Sequence, residues 1–370
     1  MKTVMMLSPK DNNFYNFRRE LICEMLRRGW RVVLVCPYGS KIDALKDDGC
    51  EFIDLPIDRR GTNPLHDLKL ILRYCRTIRA VRPDIVLTYT SKSSIYGGIA
   101  CRAERVKYIV NNAGLMEFEP EQKWLRRIVY ALSYVGFRGA ACMMYQNAQE
   151  RDVLGRLLRG RVPGRLIPGS GVNLEEFVFC EYPPEGKIIF NYVARIVKIK
   201  GIDEFLQCAE RVKAAHPDVE FRVYGDYDED EYRAKIARMQ ERGVIRYCGV
   251  RLDMKPAIAE CHAVIHPSYY EGMTNVVLEH SAMGRACIGS DIPGVREGID
   301  DGATGFLFRS HDADAMTRAV EKFLALPYAE KSAMGRAARA KMEREFDRRI
   351  VTEAYLQQIE RLTGEEAAAR

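Results

Sequence analysis

"AVIHPSYYEGMTNVVLEHSAMGRACIGSD" occupies residues 263–291, and its apolar pattern changes period twice. The run 263–268 reads as a buried strand, 274–284 as a helix, and 286–291 as a second strand. Strand, helix and strand in such close succession describe one crossover unit of a parallel sheet. Thr274 or Asn275 is a good N-cap, so the helix starts there, after a tight turn permitted by Gly272. The free N–H groups and dipole of that helix form an anion site suited to a diphosphate. Glu279 lies four residues past Asn275, on the same helical face, where a carboxylate can accept two hydrogen bonds from a ribose diol. Glu271, in the preceding loop, can reach the hydroxyls of a sugar carried beyond the phosphates. Taken alone, the plainer reading is a solvated loop residue at 271 and a surface position at 279.

Working outward, a second segment supplies what the first lacks. "NYVARIVKIKGIDEFLQCAERV" (191–212) reads as a strand ending at Arg195, a short loop with Lys198 and Lys200, then Gly201 and an amphipathic helix. A carboxylate beside phosphates requires cations close by. Arg195, as a two-pronged donor, and Lys200, as a point charge, are placed to provide them. By contrast, acidic "GDYDED" (225–230) has no partnering His or carboxylate cluster and reads as a solvated loop, so no metal is expected. His266 and His280 read as packed residues, and Tyr269 and Tyr270 either line a sugar pocket or pack.

The alternation extends along the whole chain. Strand-like runs at 2–8, 31–37, 50–56, 84–90, 107–113 and 141–147 are followed by a Pro- and Gly-containing connector at 166–173. It restarts with 187–195, 219–226, 244–250, 263–268, 286–291 and 305–310. Helical patterns fall at 17–29 and 65–83, then at 202–214, 230–241, 254–261 and 274–284, with a long amphipathic stretch at 346–362. At 370 residues, two domains are expected. Two successive parallel-sheet α/β domains of Rossmann type, facing a central cleft, satisfy the pattern. The boundaries fall at 1–168 and 169–349, with 350–370 crossing back to the first domain.

Charge is unevenly divided. Residues 1–168 hold 29 Lys and Arg against 17 Asp and Glu, whereas the rest hold 28 against 34. A basic first half points to an anionic partner: membrane headgroups, a lipid diphosphate or nucleic acid. The segments "YNFRRELICEMLRRGWR" (15–31) and "KWLRRIVYALSYVGFRG" (123–139) join Arg clusters to apolar and aromatic residues, as an interfacial helix does. The eleven cysteines stand singly, without zinc spacing, and read as reduced thiols of a cytoplasmic protein. The first residues are too briefly apolar for a signal peptide, and no apolar run approaches a membrane span.

Together, "ARIVKIKGIDEFL", "IRYCGVRLDMKPAIAECHAVIHPSYYEGMTNVVLEHSAMGRACIGSDIPGVREGI" and "DGATGFLF" resemble the donor-binding half of the retaining family-4 glycosyltransferases, which have the GT-B fold. Glu271 and Glu279 match that family's E-x7-E signature, and "TYTSKSSIYGGIACRAERVKYIVNNAGL" and "LIPGSGVNLEEF" extend the similarity through the first half. The wording is closest to members that build bacterial capsule, exopolysaccharide, lipopolysaccharide or lipid-linked oligosaccharide. The resemblance implies a metal-independent hexosyltransferase without a cofactor, using a UDP-sugar as donor substrate. It puts Arg195 and Lys200 on the donor diphosphate and Glu279 on the ribose. It puts Glu271, with the backbone of Gly272, Met273 and Thr274, on the donor sugar. The amides of Asn275 and Val276 would touch the phosphates, and Gly249 and Val250 would flank the base. One departure is that many relatives carry a histidine where this chain has Ala113, before Gly114.

The acceptor implied is a polyprenyl-diphosphate-linked saccharide, reached by a peripheral protein on the cytoplasmic face of the inner membrane; nucleic acid is not an expected partner. A UDP-sugar epimerase or hydrolase is the competing reading. A nicotinamide dehydrogenase is poorer, because no G-x-G-x-x-G follows the first strand. A non-enzymatic lipid- or nucleic-acid-binding protein leaves the Arg, Lys and Glu constellation without purpose.

Overall fold

The computed structural model describes residues 1–58, 63–111 and 123–364. The segment 113–114, where the resemblance departs from its relatives, lies outside the described residues. The chain forms two compact units, Met1–Ser170 joined by the segment from Arg348, and Gly171–Asp347.

The first unit alternates β1 (Thr3–Leu7), α1 (Asp11–Arg27), β2 (Arg31–Cys36), α2 (Ile42–Asp47), β3 (Glu51–Asp54) and α3 (Pro64–Val81). It continues through β4 (Ile85–Tyr89), α4 (Ser91–Ala103), β5 (Lys107–Asn111), α5 (Lys123–Phe137), β6 (Cys142–Tyr145), α6 (Ala148–Leu157) and β7 (Gly164–Leu166). The strands make one parallel sheet of order β3-β2-β1-β4-β5-β6-β7. Strands such as "TVMML" and "RVVLVC" are apolar on both faces because helices cover both sides of the sheet. One covering core includes Phe14, Leu21 and Ile22 of α1 with Ile42 and Leu45 of α2. The other includes Leu70, Tyr74 and Ile78 of α3, Ile95 and Ala100 of α4 and Phe137 of α5.

The second unit runs β8 (Ile189–Val193), α7 (Ile202–Ala215), β9 (Glu220–Tyr224), α8 (Glu231–Glu241), β10 (Arg246–Gly249), α9 (Lys255–Glu260) and β11 (Ala263–His266). Then come α10 (Asn275–Ala282), β12 (Ala286–Ser290), β13 (Gly305–Phe308), α11 (Ala313–Ala325) and α12 (Tyr328–Lys341). Its sheet is parallel with order β10-β9-β8-β11-β12-β13. In both sheets the winding reverses beside the first strand, between β1 and β4 and between β8 and β11. Ligands of doubly wound sheets bind outside the carboxyl ends of the strands at that point.

The last helix, α13 (Arg348–Thr363), packs on the first unit, burying Val351, Tyr355, Leu356 and Ile359 in the core shared with α1. Arg348 donates to Glu20 at 2.8 Å. Tyr355 and Tyr89 flank the buried guanidinium of Arg18.

Three readings of the sequence shift. The stretch at 166–173 is preceded by a further strand, β7, which takes Leu166. Helix α1 begins at Asp11 rather than at residue 17, and its apolar residues turn inward, so 15–31 offers no exposed apolar stripe. The segment 123–139 differs: α5 leaves Trp124, Ile128 and Val135 exposed.

Candidate functional site

Two loops emerge from the carboxyl ends of adjacent strands, β8 and β11, at the reversal point of the second sheet. The first carries Arg195 and the short 3-10 turn Lys198–Lys200 into α7. The second runs from Pro267 to Thr274 and enters α10. They lie so close that a Cβ on Gly201 would sit 2.1 Å from the Pro267 carbonyl, and Gly201 also has a left-handed φ of 69°. The Tyr269 N–H donates to the Ile199 carbonyl at 2.9 Å, stitching the loops together.

Across this seam Lys200 Nζ meets Glu271 Oε1 at 2.7 Å, with both side chains largely buried. His266 Nε2 lies 3.0 Å from the same carboxylate oxygen, and Ser268 Oγ lies 3.2 Å from that nitrogen. Burial raises the Glu271 carboxyl pKa, but the Lys200 ammonium and the His266 contact overcome it and hold the group well below the usual carboxylate range. An ionised Glu271 is an acceptor only, so Nε2 carries the hydrogen and donates to it.

The expected turn at Gly272 is made differently. Gly272 is not among the residues of positive φ; the left-handed glycine here is Gly294, at 85°. A Cβ on Gly294 would approach the carbonyls of Glu271 and Gly272 at 2.6 and 2.7 Å, and the Gly294 carbonyl accepts the Thr274 N–H at 3.0 Å. The segment after β12 therefore clamps the Glu271 loop from behind.

Thr274 is the N-cap of α10, with an extended backbone and no side-chain capping bond. The first amides, from Asn275 and Val276, are thus left to other partners, and their partial positive charge accumulates at this end of the helix. Met273 and Thr274 are buried, while Asn275, Val276 and Glu279 are half-buried. Inside α10, His280 Nδ1 donates to the Val276 carbonyl at 2.7 Å.

Arg195 is placed differently from expectation. Its guanidinium is exposed and paired with Asp228, from the acidic loop after β9 that reads as merely solvated in sequence. The same loop turns Glu229 onto the Lys198 N–H at 3.2 Å and Asp226 onto the Tyr227 N–H at 2.9 Å. The structure therefore brings Lys200 and Glu271 together and gives Arg195 a separate carboxylate partner. Tyr269 packs: its hydroxyl donates to Glu204 at 2.7 Å and its ring stacks on His311 at 3.6 Å. Gly249 closes the edge strand β10 with φ 68°, its carbonyl accepting the Gly225 N–H at 3.0 Å, and Val250 beyond it is exposed.

Sequence reasoning missed His266 as a partner of Glu271. The available signal was its place at the end of β11, where side chains of a doubly wound sheet face bound ligand.

Two family models match the chain: a glycosyl transferase 4-like domain over residues 16–169 and glycosyl transferases group 1 over residues 187–325. The chain is 24% identical over 374 residues to the N,N'-diacetylbacillosaminyl-diphospho-undecaprenol alpha-1,3-N-acetylgalactosaminyltransferase of Campylobacter jejuni, covering 96% of this chain and 98% of that protein. It is 24% identical over 306 residues to the UDP-Gal:alpha-D-GlcNAc-diphosphoundecaprenol alpha-1,3-galactosyltransferase of Escherichia coli, covering 78% of each. Among solved structures it resembles sucrose-phosphate synthase from Thermosynechococcus elongatus, with a TM-score of 0.79 and 20% identity over 100% of both chains. It also resembles Anabaena HepE in complex with UDP and glucose, with a TM-score of 0.78 and 15% identity over 97% of this chain and 99% of that one.

Proposed function

Because the chain belongs to the GT-B glycosyltransferases that join a 4-like domain to a group 1 domain, we propose that it transfers a sugar from a UDP-sugar to a hydroxyl of a polyprenyl-diphosphate-linked saccharide, with retention at the anomeric carbon. One observation carries this reading. Lys200 and Glu271 form an ion pair at the reversal point of the second sheet, and the N-terminus of α10 there lacks a side-chain cap. Lysine and helix amides suit the two phosphates, and a carboxylate suits sugar hydroxyls.

In this mechanism the bond from the anomeric carbon to the β-phosphate oxygen breaks, and a bond to the acceptor oxygen forms on the same face. The acceptor proton passes to a phosphate oxygen of the departing UDP. Lys200, Arg195 and the amides of Asn275 and Val276 stabilise the charge that develops there. Glu271, fixed by His266, holds the donor sugar together with the backbone of Gly272, Met273 and Thr274. Glu279 takes the ribose, and the rim at Gly249 and Val250 takes the base. Before donor arrives, Lys200 is held by Glu271 and Arg195 by Asp228. Binding a diphosphate exchanges those partners.

The lipid-linked acceptor is supported by the two bacterial relatives, which are transferases acting on diphospho-undecaprenol-linked sugars. An enzyme using such an acceptor would work peripherally on the cytoplasmic face of the inner membrane. No helix of the described residues is long and apolar enough to cross a bilayer, and the exposed apolar residues of α5 provide an attachment face.

The test is UDP release from a panel of UDP-sugars, with and without undecaprenyl-diphosphate-linked acceptor, in EDTA. Acceptor-dependent release is expected. Alanine at Lys200 or Arg195 should lower turnover by about 10²–10³. Equal release without acceptor would instead identify a hydrolase, and a double alanine variant with normal turnover would remove both residues from the reaction.

A further inference from the structure

Helix α3 was not among the segments that sequence pattern marked as interfacial, yet it carries the longer apolar stripe. Leu65, Leu68 and Leu72 are 68%, 54% and 49% exposed. At about 100° per residue they fall within roughly 60° of one another, on the side opposite the buried Leu70, Tyr74, Ile78 and Val81. On α5, Trp124, Ile128 and Val135 are 67%, 48% and 38% exposed and fall in a similarly narrow arc, opposite the buried Phe137. Both helices cover the same face of the first sheet, with α4 packed between them. Both stripes therefore point directly away from that sheet, in the same direction. Six large apolar side chains in two parallel rows are what an interfacial surface requires and what a solvated one avoids.

Charge identifies the occupant. Helices α3, α4 and α5 hold nine Lys and Arg against one acid, Asp67, which is paired with Lys92 at 2.9 Å. On the opposite face of the sheet, α1, α2 and α13 hold seven basic and seven acidic residues. Of the excess of twelve basic residues in 1–168, eight thus fall in the layer that exposes the leucines and the tryptophan, and none falls in the helices of the opposite face. Lys69 and Arg76 flank the stripe of α3, and Arg127 flanks that of α5. An anionic bilayer surface matches both properties: apolar rows enter the headgroup boundary and the cations meet lipid phosphates.

We infer that α3 and α5 together form a two-row lipid-contact face, with α3 an essential half of it. The inference deepens the reading of a membrane-borne acceptor, but its test needs neither donor nor acceptor. The chain has two tryptophans, Trp30, which is buried, and Trp124. Emission changes on vesicle binding therefore report α5 directly.

The full chain is titrated with phosphatidylcholine vesicles and with vesicles containing phosphatidylglycerol, following Trp124 emission, its quenching by brominated lipid, and flotation. Binding to the anionic vesicles with a blue shift is expected, weakening as salt rises. The triple variant Leu65→Ser, Leu68→Ser, Leu72→Ser should bind roughly tenfold or more weakly, with an unchanged thermal melt because all three side chains are exposed. Wild-type vesicle affinity in that variant overturns the inference. So does equal binding to neutral vesicles, or a vesicle-free dimer that the same substitutions dissociate. Intact vesicle binding with no thermal shift from UDP would sink the donor reading and leave this face standing.

Discussion

Lys200 and Glu271 show how much one pair of side chains can decide. The ammonium keeps a largely buried carboxylate ionised, and the carboxylate keeps the ammonium at the carboxyl ends of β8 and β11. Lys200→Met leaves Glu271 buried with His266 alone, and should cost the second unit about 1–3 kcal/mol. Adding Glu271→Gln should recover much of that loss, and denaturant unfolding of the four species in a double-mutant cycle reads the coupling. The Glu271 pKa is depressed in the folded state. Its contribution is therefore present above the unfolded value near 4.5 and fades as pH falls below it, so wild type and Lys200→Met should converge in acid. These identities were legible in sequence because a carboxylate, a lysine and a helix start have chemical meaning in isolation. The Arg195 contact with Asp228 was not, since it spans 33 positions and depends on how two loops fold back. Nor was the role of Gly294, which a one-dimensional pattern cannot connect with Glu271.

At the level of elements, α6 shows a helix start whose energetics depend on pH. Asn147 caps it by accepting the Glu150 N–H at 2.8 Å, while Glu150 reaches back to accept the Gln146 N–H at 2.7 Å. This is close to a reciprocal capping box, displaced by one residue. Burial pushes the Glu150 carboxyl up to about 8, only partly offset by the Gln146 amide. A raised folded pKa gives stability that is full below the unfolded value of 4.5 and is lost as pH rises through 8. Stability of the first unit should accordingly fall across that range, and Glu150→Gln should flatten the slope in urea titrations read by tryptophan fluorescence. The strands were readable because continuous apolar runs between helical patterns mean a sheet covered on both faces. β7 was not: its three residues, Gly164–Leu166, include an arginine and are not fully buried, so no period betrays them. The stripe on α3 was hidden for another reason. Its apolar residues occupy both sides of the helix, the three leucines on one and Leu70, Tyr74, Ile78 and Val81 on the other, and only the fold shows which side the sheet covers.

Across the whole molecule, the two units should answer acid and base differently. Burial pushes His262 down to about 4 and His280 down to about 3, both in the second unit. A depressed histidine stabilises above its unfolded value near 6.5, and that stability is lost as pH falls towards the folded value. The second unit should therefore weaken from about pH 6.5 downward, over a range where Glu150 increasingly favours the first. Both tryptophans belong to the first unit, so fluorescence isolates it while far-ultraviolet dichroism follows the sum. Two transitions whose separation widens in acid are expected; a single pH-independent transition would contradict the assignment.

The return of α13 to the first unit has a consequence for biosynthesis. Gly171–Asp347 is an insertion, complete in itself, between two pieces of its neighbour. On the ribosome, the second unit has all its residues before the helix that seals the first has been translated. Until Tyr355 and its neighbours emerge, the nascent amino-terminal half holds an apolar seam along α1 without its cover. The order in which the halves finish folding is thus the reverse of the order in which they begin.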